Sequence, residues 1–278
     1  MTSTSRGRLV SYGVVTLITL VMVYPLLWLL GSSFKPDQDI FTSASALPLH
    51  PTADNYRTGW SAGDVSFGQY MINSLMVCLL CALGNVVSCS LAAFAFARIR
   101  FAGRRVWFGL MMGSIMLPGH VLLVPQYFMF NTLGWIGSYL PLIIPKFLAT
   151  DAFFVFLMVQ FIRGLPAELD EAAELDGCGR YATFARIVLP LTGPAIVTTA
   201  VFSFIWTYED FLTPLIYLND SFTYTVPIGL NMFIQGLGQS SYGQMLAMSV
   251  VSLAPVIIFF LLFQRQLLNG IATTGMKG

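Results

Sequence analysis

The sequence predicts an all-α membrane protein in which six transmembrane helices are joined by an amphipathic helix between spans four and five. Three observations carry that prediction. Of 278 residues, 56% are hydrophobic and only 10% charged, where a soluble domain carries about 25% charged residues. Six apolar runs are long enough to cross about 30 Å of hydrocarbon. The cations also gather in alternate loops, as they do when a chain threads back and forth through a bilayer. The chain reads as one transmembrane domain, 1–278.

The first run, 10–31, follows Arg6 and Arg8 and has no small-residue cleavage site after it, so it reads as a retained span rather than a signal peptide. The second, 70–97, holds Gly84, Ser88, Ser90, Ala92 and Ala93, small residues that let neighbouring helices approach closely. The third to sixth are 106–130, 139–162, 189–218 and 245–265. Pro25, Pro118, Pro125, Pro141, Pro145, Pro214 and Pro255 would kink these helices, which membrane bundles tolerate.

With the N-terminus inside, eleven cations fall on the cytoplasmic side, and three fall outside or near the outer ends: Lys35, Arg57 and Lys146. That asymmetry puts both termini and the 163–190 loop in the cytoplasm. The outer side then has loops 32–69, 131–138 and 219–244. The last is uncharged towards its end, where Gly236, Gly238, Gln239 and Tyr242 form a flexible, aromatic-tipped segment suited either to a partner contact or to an ordinary surface loop.

The 163–190 loop is predicted to be two short helices. Pro166 suits a first helical turn, and Glu168, Asp170 and Glu171 suit its positive end. Leu165, Leu169, Ala172 and Ala173 then fall on one apolar face. Asp176 precedes Gly177, the residue type that ends helices in a left-handed conformation. In the second segment Tyr181, Phe184 and Val188 are expected to line one side. The product is an exposed amphipathic knob.

Carboxylates lie inside two spans: Asp151 in the fourth and Glu209 and Asp210 in the fifth. Each costs about 2.5–3.5 kcal/mol at the centre of an inserting helix, so such groups face a bundle interior or a wet path. Lys146 precedes Asp151 by five residues, about 140° round a regular helix, so the two should not share a face. Two roles are open to the acids: lining a translocation path that disfavours acidic cargo and suits hydroxyl-rich cargo, or pairing with groups of a partner chain. Trp206, Tyr208, Phe204 and Phe211 would either pack or present faces to a sugar ring.

No Gly-x-x-x-x-Gly-Lys-Ser/Thr loop occurs, so the chain has no motif for nucleotide hydrolysis, and no nucleophile–base or metal motif suggests an enzyme. Cys78, Cys81 and Cys89 read as small buried apolar residues, and scattered basic residues leave no nucleic-acid footprint.

Glu171-Ala172-Ala173, three residues, Gly177, nine residues, Ile187, then Leu189-Pro190 resembles the signature loop of binding-protein-dependent ABC importer permeases. Pro51, Asn55-Tyr56, Asn73-Ser74-Leu75, Leu117-Pro118, Pro125-Gln126-Tyr127 and the tail Phe263-Gln264-Arg265 are similar to the carbohydrate branch, the smaller maltose-type subunit. Two positions depart from that pattern: Tyr208-Glu209-Asp210-Phe211, where relatives carry Trp-Asn, and Val159, where many carry Arg.

The resemblance implies that the loop couples to an ATPase through Glu171, Ala172, Ala173, Asp176, Gly177, Ile187, Leu189 and Pro190. It also implies a second permease, a cytoplasmic ATPase dimer that binds ATP and magnesium, and an extracytoplasmic solute-binding protein touched by the 236–242 segment. This chain itself would hold no cofactor and sit as a multi-pass protein of the bacterial cell membrane. The alternative is a secondary transporter driven by an ion gradient, with Asp151 or Glu209 as proton sites.

Overall fold

The computed structural model describes residues 5–42, 45, 47–235 and 241–275, and among them every regular element is helical. The principal helices are α1 Ser5–Ser32, α2 Phe67–Arg98, α3 Arg104–Ser114, α4 Gly119–Thr132, α5 Ala152–Arg163, α6 Glu168–Leu175, α7 Arg180–Leu191, α8 Gly193–Glu209, α9 Leu212–Tyr217, α10 Val226–Gln235 and α11 Tyr242–Gly275. Among the described residues, four segments are long and apolar enough to cross a membrane: Ser11–Ser32, Phe67–Arg98, Leu140–Arg163 and Tyr242–Gln266. The number rises to six if the bent pairs α3–α4 and α7–α8 each make one span.

The bends in runs three and five are sharper than the proline kinks expected of continuous spans. Between α3 and α4 the axis turns by 103°. Pro118 stands at the turn with extended backbone, ψ 120°, and the residue before a proline is driven out of helical geometry. Between α7 and α8 the turn is 76°, at Thr192 and between Pro190 and Pro194. Run five breaks again after Glu209, because Asp210 is extended and α9 starts afresh at Leu212. Run four also loses regularity. A helical turn at Leu140–Ile143 passes into a 3-10 turn at Ile144–Leu148, Ala149 takes a left-handed φ of 55°, and α5 begins after Asp151.

The chain forms two compact units. Met1–Gln69 with Gly229–Ala254 is one, and Tyr70–Ile228 with Pro255–Gly278 is the other. In the first, α1 exposes apolar side chains all round, Leu17, Leu20, Val21 and Met22 among them, as a lipid-facing helix does. Asn55 donates to the Ser33 and Lys35 carbonyls at 2.9 and 2.7 Å, and the Tyr56 hydroxyl meets Ser33 Oγ at 2.7 Å. The Asn55-Tyr56 pair thereby clamps the end of α1. Asp37 accepts from the Gly243 backbone N–H, and a Cβ on Gly243 would lie 2.7 Å from the side-chain tips of Asn55 and Asp37, so a larger residue would displace both.

In the second unit, one buried cluster joins Phe94 of α2 to Phe154, Val155, Met158 and Ile162 of α5. Val159 sits in it fully buried, which leaves no room for a charged side chain. Another cluster gathers Val77, Cys81, Phe130, Leu142 and Tyr217. Lipid is as apolar as these side chains, so helix association here rests on close packing and interhelical hydrogen bonds rather than on escape from water. Asn73 supplies two such bonds, donating to the Phe222 and Tyr224 carbonyls, and Ser74 accepts from the Val226 N–H at 2.8 Å.

Candidate functional site

The polar centre of the second unit assembles where its helices break. Asn85 is the lone amide of a long apolar stretch of α2, and it is buried. Its Nδ2 donates to Asp151 Oδ2 at 2.7 Å and to Ser203 Oγ of α8 at 2.8 Å. Lys146 Nζ reaches the same Asp151 carboxylate at 2.9 and 3.1 Å. This corrects the expectation that Lys146 and Asp151 point apart. The five intervening residues are not a regular helix; the left-handed Ala149 folds the chain so that the cation returns to its own acid. Asp151 likewise stands not at a helix centre but just before the first turn of α5.

Gly84 makes the fold-back possible. A Cβ there would sit 2.7 Å from the Phe147 ring and 3.1 Å from the Lys146 backbone, so any larger residue would push the 3-10 turn off α2. One turn further along, Ser88 Oγ donates to the Lys146 carbonyl at 2.7 Å.

Around this network lies a cavity of about 690 Å³, within the range of small-molecule sites. Asp151, Glu209, Asp210 and Lys146 all line it. Three carboxylates and one ammonium thus line it, beside the His120 imidazole. Asp210 Oδ1 accepts from the Thr213 N–H at 3.1 Å and so caps α9. Trp206 lines the cavity, half exposed and stacked on Phe154 at 5.2 Å. Tyr208 is instead buried against Phe204, and Phe204 stacks on Phe259 at 4.1 Å, so neither presents a face to the cavity. Asn85, Ser203 and His120 also line it and were not singled out from the sequence. A single amide within an apolar run is the signal that points to Asn85.

The second candidate is the 166–191 knob. α6 ends as anticipated: Gly177 has φ 77°, its N–H donates to the Glu174 carbonyl at 3.0 Å, and the Cys178 N–H reaches Ala173 O at 2.8 Å. These are the paired bonds of a Schellman cap. Ala173 is buried, while Glu171 and Ala172 are exposed. Leu175 and Tyr181 are 90% and 87% exposed, so Tyr181 does not join Phe184 and Val188 on an inner face as expected. Phe184 packs on Phe94, Val188 is buried and Ile187 is half-buried. Leu189 and Pro190 belong to the last turn of α7, where Leu189 is half-buried and Pro190 exposed.

Of the outer-loop candidates, Gly236, Gly238 and Gln239 lie outside the described residues. Tyr242 meets Phe41 edge to face at 4.9 Å and is half-buried.

A membrane chain with a polar cavity among broken helices has the features of a transport protein. Residues 84–271 match the family described as "Binding-protein-dependent transport system inner membrane component", and the chain belongs to that family. The probable ABC transporter permease protein YurM of Bacillus subtilis is 34% identical over 94% of this chain and 86% of its own length. The trehalose/maltose transport system permease protein MalG of Thermococcus litoralis is 33% identical over 94% of each chain. A bacterial ABC transporter for import of the acidic polysaccharide alginate has a chain of like fold, with TM-score 0.82 and 20% identity over 95% of this chain and 98% of that one.

The protein is therefore a permease subunit of a binding-protein-dependent ABC importer, of the carbohydrate-permease type. It is an integral, multi-pass membrane component and not the ATPase. Membership of this family removes the support for an ion-gradient carrier.

Proposed function

We propose that this chain is the smaller permease of a carbohydrate importer and forms a translocation path with a second, different permease. It would cross the membrane six times as one permease domain, with both termini and the α6–α7 knob cytoplasmic. The knob would dock in a cytoplasmic ATPase dimer, with Glu171, Ala172, Ala173, Asp176 and Gly177 setting its surface and angle and Ile187, Leu189 and Pro190 rooting it. The observation that carries this reading is the form of α6: a glycine-capped amphipathic helix that leaves Leu175 uncovered, with Tyr181 equally exposed in the first turn of α7. Exposed large apolar side chains on an otherwise polar segment suit a protein contact.

The cavity supports a neutral, hydroxyl-rich cargo. Carboxylates accept hydrogen bonds from hydroxyl groups, Trp206 offers a ring to the ligand space, and the excess of carboxylates in the lining disfavours anions. Asp151, Glu209, Asp210 and Trp206 are the path residues proposed here, and Tyr208 supports the wall behind them. Tyr242 and the adjoining 236–240 segment would face the solute-binding protein.

A mild-detergent pull-down from native membranes with mass spectrometry tests the assembly. An ATPase and a second permease in fixed ratio are expected, and the sugar held by the accompanying binding protein names the cargo. Recovery of the chain with no ATPase would contradict the assignment of the knob. Uptake of a sugar phosphate through this subunit would contradict the charge argument.

A further inference from the structure

A side chain outside the signature loop ties the knob to the far end of the helix that starts at the cavity. Arg98 is the last residue of α2. Its Nη2 donates to the Ile162 carbonyl at 3.1 Å and to the Leu165 carbonyl at 2.8 Å, at the C-terminal end of α5. Its Nε lies 3.1 Å from Asp170 Oδ2 in the first turn of α6. This last contact is an ion pair without hydrogen-bond alignment, since the buried Nε–H has no aligned acceptor. One guanidinium thus holds α2, α5 and α6 together.

Each contact follows elementary electrostatics. The end of a helix leaves carbonyls unpaired and carries partial negative charge, which a cation near it relieves. Asp170 meets the positive end of α6 and a cation together. Guanidinium suits the position because its planar fork carries several donors in fixed directions, where an ammonium is a point charge on a flexible stem.

From this junction α5 runs 12 residues, about 18 Å at 1.5 Å per residue. It starts immediately after Asp151, which Asn85 and Lys146 hold at the cavity. We propose that Arg98 is a positioning residue that makes α6 and α5 one rigid body, so that displacement of the knob moves the Asp151 network. The inference rests on the coupling reading of α6.

Its test uses the assembled complex purified from membranes, with Cys178→Ser, and spin labels at Glu168→Cys on α6 and Phe153→Cys near the start of α5. Both positions are exposed. Distances between the labels are measured without nucleotide and with magnesium-ATP and vanadate. The intact Arg98 background is expected to give one distance in both states. R98Q is expected to shift or broaden it when nucleotide is added, and D170N to do so less, because the carbonyl bonds remain. R98K keeps the charge and is expected to lie closer to the parent than R98Q.

In parallel, ATP hydrolysis by the R98Q complex should continue while transport per ATP falls about tenfold, within the span typical of coupling between sites. A purely structural role would lower both together. If R98Q does not assemble, D170N and R98K decide, and the parent distance in both would overturn the proposal. A nucleotide-dependent change in the parent, or an unchanged distance in R98Q, overturns the tether alone. A complex that carries no ATPase overturns the coupling reading with it.

Discussion

The second and fourth apolar runs have nearly the same hydropathy and fold differently. Phe67–Arg98 is one unbroken helix, whereas Leu140–Arg163 breaks at a 3-10 turn, a left-handed alanine and Asp151. The difference is complementary. The intact helix carries Asn85 and Ser88 on its inner side, and these satisfy Asp151 and the Lys146 carbonyl that the broken run exposes. Without water to solvate freed backbone groups, a break is tolerated only where protein groups re-satisfy them or a cavity receives them. Here both conditions hold at one place. One span is an unbroken wall, and the other gives up regularity to put a charge pair beside the cavity.

Substitutions at either run should break that complementarity to different degrees. The largest effects are expected away from the wall, at the knob it supports. Gly177→Trp and Glu171→Lys should abolish transport while membrane insertion, followed by protease protection, stays intact. A tryptophan at φ 77° costs about 1–2 kcal/mol in backbone strain alone, and its bulk would lift the knob from a partner. Next, Lys146→Met leaves Asp151 without its cation and should destabilise the chain by about 1–3 kcal/mol, since the pair is partly rather than fully buried. Lys146→Met with Asp151→Leu together should cost less than Lys146→Met alone, as a thermal-unfolding cycle in detergent will read.

Gly84→Ala should cost about 1–3 kcal/mol by pressing a methyl group into Phe147. The same change at Gly109, which has open space around it, should stay within about 0.5 kcal/mol. That contrast isolates the close approach of the two runs. The smallest effect on stability, again about 0.5 kcal/mol or less, is expected for Leu175→Ser and Tyr181→Ser on the exposed knob. Both should nonetheless weaken recovery of the ATPase in pull-downs.

The features visible in the sequence are those set by local chemistry. Apolar length locates the runs, and Gly177 in the Glu-Ala-Ala loop predicts the cap found at the end of α6. Pro118 marks a place where a kinked helix was expected and a turn of 103° was found, whereas Pro190 was read only as the opening of a run and a turn of 76° follows it. What stayed hidden depends on partners distant in sequence or on backbone no residue type announces. Ala149 has no side-chain signal for a left-handed φ, so Lys146 and Asp151 were placed on opposite faces of a helix that does not exist there. Arg98 looked like one more cytoplasmic charge, because Ile162, Leu165 and Asp170 are more than sixty residues away. Trp206 and Tyr208, two residues apart, fell on opposite sides of a wall whose position only packing decides.

The central claim is that a cytoplasmic ATPase drives this permease through the knob. Its most direct measurement is uptake, into proteoliposomes holding the purified complex, of the sugar recovered with the binding protein. ATP is supplied on the ATPase side and no ion gradient is imposed. Uptake is expected to require ATP and to disappear in Glu171→Lys, with hydrolysis by the ATPase still measurable. Uptake without ATP in a second set of vesicles given a proton gradient, lost in Asp151→Asn, would contradict it.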